Sequence, residues 1–382
     1  MRNLPDLSRR KFLKIAGINC TLGLAAGISG WPYTFGKGST LQVKSVSDPH
    51  FATVRVSPDR IIRTVVGFRP FRPSGFVLKS EKINNKLIVH DYGHGGGGFS
   101  LSWGTATFAV EKAIKSGISD IAVAGCGVIG LTTALLLQRK GFKVIIYSKE
   151  LPPETTSNIA VALWSPGSVY ETNAGGNEFL NQFYMASKIS HRIFQDYVGD
   201  KYGVRWIRNY SLGGAFHFPG GKELYPGFKV HENADSYFGY PHVEEIMTML
   251  IEPPVYLNAL LEDFYLAGGK TEIKTFNSPQ DLKKLHENVI MNCTGLGAGR
   301  LFNDNELIPA KGQLNILLPQ EEIDYSYVSH SENNLLYMFP RKDGIILGGT
   351  FERGDWSTEP DDQESARILK GHTMIADSLR TV

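Results

Sequence analysis

Three closely spaced glycines mark the stretch of the chain whose residue types are best suited to bind a phosphate-bearing cofactor. Gly125, Gly127 and Gly130 stand between a short apolar run at residues 121–124 and a run of strong helix formers at residues 131–140. The first run predicts a buried strand and the second a helix. At this spacing the first glycine permits a tight turn, the second lets a pyrophosphate approach the backbone, and the third lets the helix pack against the sheet.

The residues that follow complete a strand–turn–helix–strand unit. Gly141 is a helix stop, and residues 144–147 predict a second buried strand. Val128 and Ile129 would begin the helix, whose N-terminus favours phosphate groups. Glu150 is the carboxylate nearest the end of the second strand, where such a residue binds the ribose. The unit predicts a dinucleotide site.

A second glycine cluster precedes this unit. Residues 90–100 read HDYGHGGGGFS, and residues 103–114 predict a helix directly after them. Glycines at this density expose bare backbone N–H and C=O groups to a close neighbour. A flexible linker is the alternative, but Gly/Ser linkers rarely carry interleaved His, Tyr and Trp.

Length and composition favour an ordinary globular protein. With 382 residues the chain can form one large domain or two smaller ones. The formal net charge is +2, but residues 1–38 hold six Lys/Arg and one acidic residue, so the remainder is slightly acidic and offers no nucleic-acid footprint. Cys20, Cys126 and Cys293 are expected to be thiols, and no metal site is predicted.

The N-terminal residues resemble a bacterial twin-arginine export signal. Residues 8–14 read SRRKFLK, and a mildly apolar stretch follows at residues 15–28. This stretch is too short and too weakly apolar for a comfortable transmembrane helix. We expect export across the inner membrane by the twin-arginine translocase, with a membrane-tethered form possible if the signal is not cleaved. A disordered basic tail is the alternative.

Several segments together resemble the D-amino-acid oxidase family, which includes D-aspartate oxidase. GFRPFRP at residues 67–73, followed by HDYGHGGGGFSLSWG at 90–104, is similar to the C-terminal hallmark of that family. Further matches are TTSNIAVALWSP at 155–166, NCTG at 292–295 with KGQ at 311–313, and YMFPR at 337–341 with GIILGGT at 344–350 and GDW at 354–356. The matches cover nearly all of residues 58–382.

The resemblance implies non-covalently bound FAD and oxidative deamination of a D-amino acid. A hydride would pass from the substrate Cα to flavin N5, water would convert the imino acid to a 2-oxo acid and ammonia, and oxygen would be reduced to hydrogen peroxide. Arg69 and Tyr337 match the residues that hold the substrate carboxylate, and Gly96 matches the glycine whose carbonyl receives the amine. The predicted cofactor contacts are Gly125, Gly127, Val128, Ile129, Gly130, Glu150, Thr156, Ser157, Leu163, Gly95, Gly97, Gly98, Phe99 and Ser100.

The motif order departs from that of the family, in which the Gly-x-Gly-x-x-Gly strand comes first and the Gly-His-Gly-Gly segment last. Here the hallmark precedes the nucleotide strand, joined to it by residues 115–119. We therefore predict a circular permutation. The triplet Arg-Thr-Val occurs at residues 63–65 and again at 380–382, where the break is expected.

The predicted fold is α/β, or α+β overall. A Rossmann-type FAD-binding domain is combined with an antiparallel-sheet substrate domain. We assign residues 1–45 to the signal and linker, 57–170 to the FAD-binding domain (hallmark 61–114, glycine unit 119–150) and 171–250 to the substrate domain. Residues 251–308 return to the FAD-binding domain and 309–382 to the substrate domain.

Three alternatives remain open. A related amine or imino-acid dehydrogenase would pass electrons to a membrane quinone, and a secreted flavin-binding protein would not catalyse a reaction. An NAD-dependent dehydrogenase fits the glycine motif but leaves residues 93–100 unexplained. The choice of D-amino acid and the oligomeric state cannot be derived from these residues.

Overall fold

The computed structural model describes residues 52–171, 176–233, 239–331 and 334–380. These residues belong to one compact unit, and the predicted export signal at residues 1–45 lies outside them. In the described part of the chain, no helix is long and apolar enough to cross a membrane.

A six-stranded sheet forms the base of the nucleotide site. Its strand order is β2–β3–β10–β4–β5–β9. All neighbouring pairs are parallel except β2 and β3, which form an antiparallel hairpin. The bounds are Val77–Ile83 (β2), Lys86–Tyr92 (β3), Asp120–Ala124 (β4), Lys143–Ser148 (β5), Lys270–Ile273 (β9) and Val289–Asn292 (β10).

Helices cover this sheet and bury its apolar strands. Helix α1 (Gly98–Ile114) packs against α2 (Val128–Arg139), and α2 in turn contacts α5 (Pro253–Leu266). Trp103 of α1 is fully buried and donates a hydrogen bond to the Tyr256 hydroxyl of α5 at 2.7 Å. The shorter helices are α3 (Thr156–Ile159), α6 (Pro279–Lys283) and α7 (Gly297–Phe302), while α4 (Asn177–Gln195) packs on α1.

The second sheet has nine strands and is mostly antiparallel. Its order is β1–β11–β14–β13–β12–β6–β8–β7, with β15 paired to β11, and only β12 and β6 are parallel. The C-terminal helix α8 (Asp362–Arg380) packs on β11, β14 and β13. The bounds are Ile61–Phe71 (β1), Val204–Leu212 (β6), Lys229–Glu232 (β7), His242–Ile251 (β8), Ile308–Leu317 (β11), Tyr325–Ser331 (β12), Asn334–Arg341 (β13), Gly344–Gly348 (β14) and Glu352–Arg353 (β15).

The predicted fold class is confirmed, since a parallel-rich sheet with helices is combined with a largely antiparallel sheet. Strand β1 corrects one part of the segment 61–114 that the sequence analysis assigns to the FAD-binding domain. It pairs with β11 from Arg63 to Phe71 and is the edge strand of the nine-stranded sheet. Pro70 is compatible with that position, because an edge strand has a free side where a missing N–H costs little. The other domain boundaries stay predictions.

Both cysteines in the described part of the chain are buried free thiols, as predicted. Burial raises the pKa of the Cys126 thiol to about 12. The same effect raises the pKa of Cys293 well above its usual value. These thiols therefore stay protonated and act as small apolar side chains.

Candidate active site

A cavity of about 1250 Å³ is lined by residues of both sheets. At one end it is bordered by the glycine turn after β4, and its wall includes the loop after β3. The nine-stranded sheet contributes Arg69, Leu314, Val328, Tyr337 and Phe339 to the wall. Among the described residues, no group of three or more His, Cys, Asp or Glu side chains could hold a metal ion.

The glycine turn requires its glycines at the positions where the sequence predicted a phosphate cradle. Gly125 has φ +107°, and a Cβ there would lie 2.4 Å from the Cys293 carbonyl oxygen. A Cβ on Gly130 would lie 2.0 Å from the Gly125 carbonyl oxygen. The missing side chain of Gly130 therefore lets α2 approach the turn closely. Gly130 itself does not line the cavity.

The start of α2 faces the cavity. Gly127, Val128 and Ile129 all line it, together with Ser157. The Val128 backbone N–H donates a hydrogen bond to Ser157 Oγ at 3.1 Å, and a Cβ on Gly127 would lie 2.9 Å from the same oxygen. The N-terminus of α2 and the Ser157 hydroxyl thus lie next to the Gly127 backbone, which carries no side chain. This arrangement is suited to binding phosphate oxygens.

The loop after β3 divides into residues that line the cavity and residues that support it. Gly95, Gly96, Gly98 and Phe99 line it. Gly97 and Ser100, predicted as cofactor contacts, do not. A Cβ on Gly97 would lie 2.5 Å from Val169 Cγ2.

Ser100 instead supports the chain segment that carries Leu163. Its hydroxyl accepts a hydrogen bond from the Ser165 N–H at 2.9 Å and donates to the Leu163 carbonyl at 3.4 Å. Leu163 and Ser165 both line the cavity, as does Thr156.

Glu150 lines the cavity at the carboxyl end of β5, as predicted. Its carboxylate lies 3.1 Å from the Lys149 ammonium group. Lys149, Lys274 and Arg300 also line this end. The cavity wall is therefore mainly basic here, with Glu150 as the carboxylate placed to meet hydroxyl groups.

Arg69 and Tyr337 come together although 268 positions separate them in the chain. Arg69 Nη2 donates to the Tyr337 hydroxyl at 3.2 Å, and Nη1 donates to the Thr350 carbonyl at 3.3 Å. The guanidinium also lies 5.3 Å from the centre of the Phe351 ring. A guanidinium and a phenol side by side form a site for a carboxylate.

Two glycines that the sequence analysis did not single out make room for this pair. A Cβ on Gly312 of β11 would lie 2.4 Å from Arg69 Nη1. A Cβ on Gly348 of β14, which is in register with Tyr337, would lie 2.1 Å from the Tyr337 ring. Both side chains therefore lie across strand positions that have no side chain of their own.

His372 of α8 supports the Gly348 backbone from a fully buried position. Its Nε2 lies 3.0 Å from the Gly348 carbonyl oxygen, and its Nδ1 lies 2.7 Å from the Tyr327 hydroxyl. Burial lowers the pKa of His372 to about 4. The neutral ring donates to the carbonyl and accepts from the phenol, so it ties α8 to the strand beneath Tyr337.

The comparisons with known proteins agree with this geometry. The sequence model of the family described as "FAD dependent oxidoreductase" (DAO) matches residues 120–236 and 246–375. The chain is 30% identical over 269 residues to a D-amino-acid oxidase of Rubrobacter xylanophilus, covering 69% of this chain and 79% of that protein. It is 27% identical over 274 residues to human D-aspartate oxidase, covering 68% of this chain and 76% of that protein.

Solved structures share the fold at low identity. Glycine oxidase from Geobacillus kaustophilus aligns with a TM-score of 0.50 at 15% identity, covering 68% of this chain and 79% of that one. An L-α-glycerophosphate oxidase from Mycoplasma pneumoniae with FAD bound gives the same TM-score, identity and coverage.

The residues present fit FAD. The bare turn at Gly125 and Gly127, together with the start of α2, suits a pyrophosphate, and Glu150 lies where a ribose is expected. The long cavity leads from there to the Arg69–Tyr337 pair. The chain belongs to the DAO family and is an FAD-dependent oxidoreductase similar to D-amino-acid oxidases.

Proposed function

We propose that the protein oxidises a D-amino acid to a 2-oxo acid and ammonia and reduces oxygen to hydrogen peroxide. The observation that carries this proposal is the pairing of Arg69 with Tyr337 in the wall of the cofactor cavity. Relatives whose names are D-amino-acid oxidase and D-aspartate oxidase support it.

The chain's own residues bind and orient the substrate. Arg69 uses one N–H for the Thr350 carbonyl and directs others toward the cavity, where two parallel bonds to a carboxylate are possible. Tyr337 accepts from Arg69, so its own hydroxyl proton is free to point to the same carboxylate. Gly96 lies beside Arg69, since a Cβ added to it would be 3.8 Å from Arg69 Cδ, and it is placed to offer its carbonyl to the substrate amine.

The walls around this pair are apolar. Leu163, Val328, Leu335 and Phe339 line the cavity close to Tyr337 and pack in one cluster with it. They exclude water from the Cα–H bond and strengthen the charge interactions of Arg69. FAD held in this cavity would supply the redox chemistry, namely hydride acceptance and electron transfer to oxygen.

The test is to follow hydrogen peroxide and ammonia from the purified protein with D- and L-forms of neutral and acidic amino acids. The proposal predicts equal amounts of both products with a D-form and none with an L-form. Arg69→Lys is the matched variant, because it keeps the charge but loses the planar fork. Turnover with a quinone dye but without peroxide would contradict the oxidase proposal and favour the dehydrogenase. No turnover with any D-form would contradict the proposed substrate class, whichever electron acceptor the protein uses.

We propose further that the chain is a circular permutation of the family fold. The family match begins at residue 120, yet β1 before it belongs to the nine-stranded sheet, β2 and β3 belong to the six-stranded sheet, and α1 packs against α2. Val54 and Ile61 near the start of the described chain lie in one hydrophobic cluster with Leu379 at its end. Joining the two ends of the described chain near this cluster, and opening the chain before β4, would restore the motif order of the family.

A rearranged gene tests the permutation. It would start at Ser119, join Val382 directly to Ala52 and end at Lys115, so that all of β1 and the cluster of Val54 and Ile61 with Leu379 are kept. The proposal predicts a folded protein that binds FAD with the same visible spectrum. A rearranged chain that is insoluble or colourless, with the parent order expressed in parallel as the control, would contradict it.

We also propose that residues 1–45 direct export by the twin-arginine translocase. The SRRKFLK sequence ahead of an apolar stretch supports this. Fused to a reporter, residues 1–45 should carry it across the inner membrane, and replacing Arg9 and Arg10 with lysine should stop export. Export that persists in the double variant or in cells without the translocase would contradict the proposal.

A further inference from the structure

A carboxylate in the cavity wall has no hydrogen-bond partner in the part of the chain that the structure describes. Asp91 of β3 is fully buried and lines the cavity. Neither Oδ1 nor Oδ2 accepts a hydrogen bond from any described residue. Burying a carboxyl group whose oxygens accept no hydrogen bond is unfavourable, so this position calls for a ligand or water that donates to it.

His94 does not satisfy this carboxylate. His94 Nε2 lies 3.2 Å from Asp91 Oδ1 but also 3.1 Å from Thr105 Oγ1, and the imidazole stacks on Phe76 at 5.3 Å. One ring nitrogen cannot serve both oxygens of Asp91, and Oδ2 has no neighbour that donates.

The position of Asp91 in the cavity narrows the choice of ligand. The strand order places β10 between β3 and β4, so Asp91 and the Gly125 turn lie two strands apart at the same carboxyl edge of the sheet. Cys293, which follows β10, lines the cavity between them. Beyond Asp91 the loop continues to Gly96, where an added Cβ would lie 3.8 Å from Arg69 Cδ.

FAD has the matching chemistry along this path. Its pyrophosphate belongs at the glycine turn, and its redox-active ring belongs near Arg69, where the substrate is held. The ribityl chain that connects them carries hydroxyl groups. A carboxylate repels phosphate, but it accepts strong hydrogen bonds from hydroxyls.

We propose that Asp91 is a cofactor-positioning residue that accepts hydrogen bonds from the ribityl hydroxyls of FAD. The inference uses the family's cofactor but not the identity of the substrate, so it stands or falls independently of D-amino-acid oxidation.

The test is binding of flavins to the full chain after FAD has been removed, measured by quenching of flavin fluorescence. FAD carries the ribityl hydroxyls, whereas lumiflavin has the same ring system without them. Asp91→Asn should raise the Kd of FAD about tenfold or more, as expected for losing a hydrogen bond to a charged group. The Kd of lumiflavin should change by less than about threefold, because lumiflavin lacks the hydroxyls that Asp91 would bind.

Glu81→Gln is the matched control. Glu81 is a carboxylate on the neighbouring strand β2 that does not line the cavity, and unlike Asp91 it has a hydrogen-bond partner, His90 Nε2 at 3.0 Å. Glu81→Gln should leave the Kd of FAD and the Kd of lumiflavin unchanged. Urea unfolding of the FAD-free variants reports any loss of folding separately.

Asp91→Ala extends the test, because an amide oxygen can still accept a hydrogen bond whereas a methyl group cannot. If Asp91→Ala weakens FAD binding and Asp91→Asn does not, the proposal is also supported. The hydrogen-bond acceptor, rather than the negative charge, would then be what binds the hydroxyls. Wild-type FAD affinity in both variants would overturn it. So would an equal loss of lumiflavin affinity, since Asp91 would then act through the fold of the loop.

Discussion

Gly312→Ala tests whether the bare strand beneath Arg69 sets the position of the carboxylate site. The added methyl group would lie 2.4 Å from Arg69 Nη1 and 2.9 Å from Cζ and Nη2. Ordinary contact begins at 3.4 Å, so the guanidinium must move by about 1 Å. The backbone of Gly312 has no positive φ, so alanine fits the strand itself.

The expected effect follows from this displacement. A shift of about 1 Å in a group that positions the substrate can lower the rate by about 100-fold, which corresponds to about 2.7 kcal/mol of lost transition-state stabilisation. The contact is with the far end of a flexible side chain, so the fold should tolerate the methyl group. Substrate handling, not stability, should change.

The assay is steady-state peroxide production over a range of D-amino acid concentrations, with FAD content measured on the same samples. We expect kcat/KM to fall about 100-fold while FAD content and the melting temperature stay close to those of the wild type. Gly176→Ala is the control, because no described residue comes within 4 Å of a Cβ added at that position.

A value of kcat/KM within about threefold of the wild type, with normal FAD content, would refute the reasoning. It would mean that Arg69 is free to take another position without loss, and that the guanidinium seen over Gly312 does not define the substrate site. A fall of the same size in Gly176→Ala would show a general effect of glycine substitution instead.

Three further predictions concern the layers around this site. Tyr337→Phe should lower kcat/KM about tenfold or more, because a hydrogen bond to the charged carboxylate is lost, and steady-state kinetics would measure it. Gly125→Ala should yield protein with little bound FAD, since φ is +107° and the Cβ would lie 2.4 Å from a backbone oxygen; the visible spectrum reports the FAD content. His372 binds protons more weakly in the folded state, with a pKa of about 4, than its usual 6.5. Stability should therefore fall by about 3 kcal/mol as the pH drops from about 6.5 to 4, which urea unfolding at several pH values would measure.

Each of these predictions has a contrary result. Unchanged kcat/KM in Tyr337→Phe would remove the phenol from the carboxylate site. Full FAD content in Gly125→Ala would show that the turn is not the cradle. A His372→Gln variant should lose part of the acid sensitivity of the wild type, and an identical pH dependence would assign that sensitivity to other groups.

The sequence predicted the nucleotide unit well because its signals are local. The glycines at 125, 127 and 130 stand between patterns of strand and helix that need no distant partner to be recognised. Residues 120–148 consequently fold as β4, α2 and β5 with small shifts at the ends.

What the sequence could not provide depends on pairings between distant segments. The membership of β1 in the larger sheet follows from its pairing with β11, about 250 residues later. The need for glycine at positions 312 and 348 becomes apparent only when Arg69 and Tyr337 are seen to lie across those strands. A glycine within each of these two strands was the available signal, but such a glycine is equally typical of a bulge or a weak strand.

Asp91 illustrates the same limit at a single residue. In the sequence it is an acidic residue within a glycine-rich loop, where exposure to solvent is the ordinary expectation. Its complete burial follows from the packing of β3 between β2 and β10, and neither of its oxygens accepts a hydrogen bond from the residues that the structure describes.

The most direct test of the account is the visible spectrum of the yellow protein, followed without oxygen while a D-amino acid or its L-form is added. The account predicts that a D-form bleaches the flavin absorbance of the wild type, that its L-form does not, and that Arg69→Lys needs a far higher concentration of the D-form. Bleaching by L-forms alone, or by D-forms equally well in Arg69→Lys, would contradict the assignment of Arg69 and Tyr337 as the site that holds a D-amino acid.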